Sequence, residues 1–285
     1  MLNLKPFLKW VGGKTQIINT IISKIPTEIN TYYEPFIGGG SVLLALLSAT
    51  ENGEKKIKHF IVSDKNKILI ETYKTIKNHP DKLLTQLKKL SDKYYSKRSL
   101  TGKESLYYEL RDLYNKSRTG IRRCALFIFL NKTCFRGLYR EGPSGFNVGF
   151  GNYVNPAIYE KEKILEISKY LKKYRVIFKH SPYNYVLGSV KRGDFVYLDP
   201  PYYPVNETSF VKYHRNSFIE KDHNELLQFC EELNKKKIGF LMSNSNTKFN
   251  RKLYREFKIK KILCKRRIHS KTPQSNEMEV LIYNY

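Results

Sequence analysis

Apolar residues along this chain follow two rhythms, and the change from one to the other divides it. Ile17, Ile18, Ile21, Ile22 and Ile25 recur at the spacing of an amphipathic helix, directly after the Gly12-Gly13 turn. Thr31 to Phe36 reads as a short strand, Val42 to Leu47 as an apolar helix, and His59 to Ser63 as a second strand that ends at Asp64. Helical spacing then takes over. Leu106, Tyr107, Leu110, Leu113 and Tyr114 share one helix face, and Cys124 to Leu130 is apolar all round, as a buried helix is. A glycine-rich loop runs from Arg136 to Tyr153. Strand-like runs return at Tyr174 to Phe178, Phe195 to Leu198, Ile238 to Met242, Lys258 to Leu263 and Val280 to Tyr283, with the polar Ser243-Asn244-Ser245-Asn246 placed after the third of these. This order predicts one doubly wound α/β domain, residues 1–71 and 176–285, interrupted by a helical insertion over residues 72–175.

Composition narrows the partners. A chain of 285 residues with 41% hydrophobic positions can bury a sizeable core. Its 52 lysines and arginines stand against 26 acidic residues, a formal charge of +26, and such an excess calls for a polyanion, most simply nucleic acid. An anionic membrane surface would need a basic amphipathic anchor or a lipidation signal, and neither is visible. No apolar run reaches the roughly 18 to 20 residues that span a bilayer. Met1 to Gly13 lacks a signal-peptide core, so an intracellular location is expected. Cys124, Cys134, Cys230 and Cys264 show no CxxC spacing and the six histidines no HExxH pair, so reduced thiols and no metal site are expected.

The chemistry concentrates where apolar runs end. Phe195 to Leu198 delivers Asp199-Pro200-Pro201-Tyr202: an acid, two rigid prolines without N–H donors, and a ring. Asp199 and nearby carbonyls offer acceptors while Tyr202 can cover a flat base, a combination suited to an exocyclic amino group. A plain Asp-Pro turn ending a buried strand is the bland alternative. Gly38-Gly39-Gly40 permits close backbone approach to a ligand before a helix N-terminus, and Asp64 lies about 25 residues further on, near where Rossmann-type sites place an acid on ribose hydroxyls. Gly13-Lys14-Thr15 ends like a phosphate-binding P-loop, which would make the chain an NTPase. That motif needs a glycine where Leu8 stands, and only seven residues precede Leu8.

Taken in order, these segments resemble the Dam-like DNA adenine N6-methyltransferases. The resemblance rests on Phe7 to Lys14, Glu34 to Ser41, Asp64, the Phe129 to Arg140 stretch, Phe146-Asn147-Val148, Asp199 to Tyr202 and Ser243-Asn244, and it covers nearly the whole chain. It implies a Rossmann-like S-adenosylmethionine-dependent methyltransferase fold with residues 72–175 as the target-recognition domain. It further implies cofactor contacts from Trp10, Lys14, Phe36, Gly38, Gly40, Asp64, Ser181 and Asp199, although many relatives keep an acid where this chain has Ser181-Pro182-Tyr183. Asp199, Pro200, Pro201 and Tyr202 are implied as catalytic, acting on a base flipped from duplex DNA, with no metal. Lys9, Leu138 and Arg140 match residues that read GATC in such enzymes. Phe135 matches an aromatic inserted near the displaced base, Asn147 lies in the recognition loop, and Lys271 lies in the final basic turn. Arg136 and Gly149 depart from the asparagine and proline that the GATC enzymes carry. A cognate restriction endonuclease, replication control and a viral role all stay open, as does the oligomeric state. So do a catalytically silent DNA-binding protein, an RNA-directed enzyme and a cytosine-N4 enzyme, although the last usually carries serine in place of Asp199.

Overall fold

The structure, a computed structural model, describes residues 1–203, 218–265 and 276–285. The chain forms two compact units: Met1–Lys14, Gly38–Asn52 and Asn66–His180 make up the first, and Thr15–Ile37, Gly53–Lys65 and Ser181–Tyr285 the second. Residues 72–175 lie within the first unit.

In the second unit, α1 (Ile18–Lys24) leads into β1 (Glu28–Glu34), and β2 (Lys56–Asp64) pairs parallel to it with Tyr33 opposite Ile61 and Glu34 opposite Val62. In the first unit, α2 (Ser41–Glu51) follows the glycine turn. α3 (Lys67–Asn78), α4 (Pro80–Tyr95), α5 (Leu100–Lys116) and α6 (Ile121–Thr133) then pack around buried aromatics. Phe129 on α6 meets Tyr94 on α4 edge to face, with ring centroids 5.8 Å apart. A small hairpin, β3 (Glu141–Gly142) with β4 (Gly145–Phe146), α7 (Lys161–Lys173) and β5 (Ile177–His180) complete this unit.

The second unit resumes with β6 (Phe195–Leu198), α8 (Glu220–Lys235), β7 (Gly239–Ser245), α9 (Lys248–Leu253), β8 (Lys258–Lys265) and β9 (Asn276–Tyr283). Its strands lie in the order β2-β1-β6-β7-β9-β8, with β2, β1, β6 and β7 parallel and β9 antiparallel to both neighbours. All four residues of β6 are buried, which is why this strand reads as a continuous apolar run rather than an alternating one. Leu226, Phe229 and Leu233 of α8 join Val196, Leu198, Phe240, Met242 and Ile282 in one core.

Several boundaries move for identifiable reasons. β1 stops at Glu34 because Pro35 cannot donate to a ladder. The strand expected from Tyr174 begins at Ile177: Arg175 sits at φ 49° and Val176 N donates back to Leu171 O at 3.1 Å, a left-handed helix stop that uses up the intervening residues. Ser243, Asn244 and Ser245, expected to come after the strand, belong to it. They extend β7 and pair with Leu281, Val280 and Glu279 of β9.

Candidate active site

The strand order reverses between β1 and β6, which is where open α/β sheets bind ligands beyond their carboxyl ends. Asp199-Pro200-Pro201-Tyr202 leaves β6 at this point. The residues before it are held by buried polar contacts. Tyr197 OH shares a 2.7 Å hydrogen bond with Ser243 Oγ, and Tyr32 OH donates to Glu34 Oε2 at 3.0 Å. Burial drives the Tyr197 phenol well above its ordinary pKa and the nearby Asp199 carboxylate adds to the shift, so the ring stays neutral.

The tetrapeptide's exit is pinned as well. Tyr202 OH donates to Glu279 Oε2 at 2.8 Å, and Ser245 Oγ donates to Tyr203 O at 2.7 Å. Asn250 on α9 in turn donates to Asn244 Oδ1 at 3.0 Å and to Ser245 O at 2.9 Å. Burial, then the Asp199 and Glu279 charges, push the Tyr202 phenol well above its usual range. Glu279 is a residue that sequence reasoning missed, and its signal was faint: one of two acids, with Glu277, in the strand Asn276–Tyr283. In a chain carrying +26, Asp199, Glu34 and Glu279 all lie near enough to Tyr197 to raise its phenol further, a local acidic setting that complements a cation. The chain has a second acid beside β6, Asp194, whose role is structural: its carboxylate accepts from Thr31 N at 3.0 Å and Lys191 N at 2.8 Å at the opposite end of the strand.

Phe36 and the Ser181 segment come together in this unit. The Phe36 ring stacks on Tyr183 at 5.3 Å, and Ile37 N donates to Ser63 O at 3.0 Å, tying the turn after β1 to the end of β2 next to Asp64. Ser181 Oγ and Asn244 Nδ2 are buried and have no hydrogen-bond partner in the protein, which is a cost unless a ligand supplies one.

In the first unit, the glycine turn and the N-terminal segment meet. Gly38 has φ 48° and Gly40 φ 70°; a Cβ on Gly39 would lie 2.8 Å from Trp10 Cβ, and one on Gly40 only 2.3 Å from Tyr73 OH. The glycine turn therefore packs so closely on Trp10 and Tyr73 that a side chain at Gly39 or Gly40 would clash. Lys14 is 3% exposed, and its ammonium folds back to donate to Gly12 O. No strand precedes Gly12 among residues 1–13, so the segment lacks the strand that a phosphate-binding P-loop follows.

The segment expected to read DNA also lies in the first unit. Phe135 is 48% exposed, so it is not core, and Leu138 is half-buried. Arg136 adopts φ 55°, and its guanidinium lies 5.0 Å from the centre of the Phe135 ring. Arg140 Nε donates to Asn147 Oδ1 at 2.7 Å and Nη2 to Asn147 O at 3.3 Å, which leaves the far edge of the guanidinium as a two-donor fork. Lys9 Nζ sits 3.8 Å over the Tyr153 ring. Lys271 lies outside the described residues. No group of three or more His, Cys, Asp or Glu side chains among the described residues could hold a metal ion.

A mostly parallel sheet with Asp-Pro-Pro-Tyr leaving it where the strand order reverses has the layout of α/β enzymes that bind their ligands at strand ends. Residues 10–268 match the D12 class N6 adenine-specific DNA methyltransferases, and the chain belongs to that family. It is 41% identical to the type II methyltransferase M.MjaIII of Methanocaldococcus jannaschii, with both chains covered completely. Identity is 31% to the type II methyltransferase M1.LlaDCHI of Lactococcus lactis subsp. cremoris, over 100% of this chain and 96% of that one. The DNA adenine methylase of Escherichia coli is 30% identical over 99% of this chain and 95% of its own length. The protein is thus an adenine-specific DNA methyltransferase that acts on DNA, and membership implies S-adenosylmethionine as methyl donor. The NTPase and the silent DNA-binding readings fall away. No helix among the described residues is long and apolar enough to cross a membrane.

Proposed function

We propose that the protein methylates adenine N6 in duplex DNA within GATC or a related short site, taking the target base out of the stack before transfer. The observation that carries this reading is Asp199-Pro200-Pro201-Tyr202 at the point where the strand order reverses, braced by Ser243, Ser245 and Glu279. Adenine N6 is a poor nucleophile because its lone pair is delocalised into the ring. The Asp199 carboxylate and the Pro200 carbonyl accept hydrogen bonds from its two N–H groups and favour a more tetrahedral nitrogen, so the lone pair can attack in line and the surplus N6 proton then leaves by way of the Asp199 carboxylate to water. Tyr202 stacks on the flipped base, and its bond to Glu279 fixes the plane of the ring.

When bound, S-adenosylmethionine supplies an electrophilic methyl on a positively charged sulfur. In the second unit, the acids at the strand ends and the orphaned Ser181 Oγ fit such a group. By resemblance to the family, Trp10, Lys14, Phe36, Gly38, Gly40, Asp64, Ser181 and Asp199 are the residues assigned to it. Residues 72–175 serve as the target-recognition insertion. Arg140 reads guanine through its free fork, Leu138 packs on a thymine methyl, Lys9 reads a second guanine, and Phe135, with Arg136 over it, fills the space left by the displaced base. Asn147 acts by holding Arg140, and Lys271 contacts phosphate. A restriction endonuclease of matching specificity is the expected companion, in keeping with relatives named type II methyltransferases. Transfer from labelled cofactor to unmethylated DNA, followed by sequencing for N6-methyladenine, tests the reading. Methyl groups on cytosine, or adenine methylation with no common site, would overturn it.

A further inference from the structure

We propose that Asn131 is a positioning residue for target choice, locking Lys9 and the Gly137–Arg140 turn into one reading head. The inference rests on the assignment of Lys9 and Arg140 as base readers, and goes beyond it by naming the group that sets their relative placement. Asn131 closes α6 and is only 3% exposed. Its Oδ1 accepts from Lys9 N at 2.9 Å, while its Nδ2 donates to Lys9 O at 2.7 Å and to Gly137 O at 3.3 Å. The side chain thus pairs with the Lys9 backbone as a neighbouring strand would, across 122 positions of sequence. The third bond reaches the turn that carries Leu138 and Arg140. Because two carbonyls face Nδ2 and an N–H faces Oδ1, the orientation of the amide is fixed by its surroundings.

The two segments that it joins are in van der Waals contact. Gly137, at φ 66°, is pressed on the Lys9 side chain so closely that a Cβ there would fall 2.4 Å from Lys9 Cβ. Lys9 Nζ is also steered, by Lys132 O at 3.4 Å and by the Tyr153 ring. Trp10, next in sequence, stacks on Tyr139 of the same turn at 5.8 Å. None of these contacts carries a net charge to the recognition surface from Asn131 itself. Its contribution is geometric, and a shift of about 1 Å in either reader is enough to degrade a directional base contact.

The test is Asn131→Asp, which keeps the acceptor for Lys9 N and turns the donor into a second acceptor facing two carbonyls. Asn131→Ser, which removes the clamp without burying a charge, is the second variant. For each, kcat/KM is measured on GATC duplexes and on every single-mismatch duplex, beside Lys9→Ala and Arg140→Ala and with thermal melts as controls. We expect the ratio of cognate to mismatched kcat/KM to fall at least about 10-fold at the base pairs sensed by both Lys9 and Arg140. The salt dependence of DNA affinity should not change, because no phosphate contact is lost. A uniform fall across all duplexes would mean that Asn131 only stabilises the fold and would overturn the proposal, as would unchanged discrimination in Asn131→Ser. If Lys9→Ala and Arg140→Ala themselves leave discrimination intact, the base-reader assignment has failed, and those two variants report that separately from Asn131.

Discussion

The corner around Asp199 and the turn around Arg140 are built by opposite means. The corner is the end of a fully buried strand in a parallel sheet, and its polar groups are braced by side chains from β1, β7 and β9. The turn has almost no regular structure: two two-residue strands, left-handed backbone at Arg136 and Gly137, and amide side chains, Asn115, Asn131 and Asn147, that take the place of a ladder. If the proposed roles hold, the step common to every adenine target rests on the part of the chain least able to change, and the choice of target rests on a loop, where one substitution alters a contact without disturbing a core.

The largest expected effect breaks the corner. Asp199→Ala should lower methyl transfer by at least about 10²-fold, since a positioned acceptor for N6 is lost, and DNA binding should survive in a gel-shift assay. Near-normal turnover would remove Asp199 from the mechanism.

The next concerns acid. His223 is fully buried among Tyr203, Phe218 and Phe249, and burial lowers its pKa to about 4, against a small opposing pull from Asp222. A base with a depressed folded pKa stays neutral in the native state, while the unfolded chain takes up the proton first. Stability should therefore be flat above about pH 6.5 and should decline by roughly 2 kcal/mol as pH falls towards 4. The full shift implies more, but a charged imidazole would recruit water. Urea melts of the protein and of His223→Leu, compared across that window, measure the difference; equal slopes would contradict it.

A smaller effect sharpens the corner. Tyr202→Phe keeps the ring and deletes the bond to Glu279, so kcat should drop about 10-fold or less with KM for DNA unchanged. On the turn, Arg136→Asn should stabilise the protein by about 1 kcal/mol, because asparagine tolerates φ 55° better than arginine does. Thermal melts decide it, and a destabilised variant would show that the Phe135 contact outweighs the strain.

The same contrast explains what the sequence revealed. Phe195 to Leu198 was legible because a strand buried on both faces must be continuously apolar, and Asp199 follows it directly. Ser243 to Ser245 was not, since polar residues that brace a site look like a loop. The hairpin at Glu141 to Phe146 was hidden for a related reason: its strands are too short for any periodicity, and Asn115, far off in sequence, completes its bonding. Asn131 reads as one polar residue at the end of an apolar helix, and its partners are known only once Lys9 lies beside it. The +26 charge pointed to the right kind of partner without locating any contact.

The division of labour is tested most directly by genome-scale maps of N6-methyladenine made with the protein, Asp199→Ala and Arg140→Ala on the same unmethylated DNA. The account predicts that Asp199→Ala lowers methylation by the same factor at every site and leaves their ranking intact. Arg140→Ala should retain turnover but lose about 1 to 3 kcal/mol of discrimination at one base pair. A changed site preference in Asp199→Ala, or a uniform loss in Arg140→Ala, would contradict it.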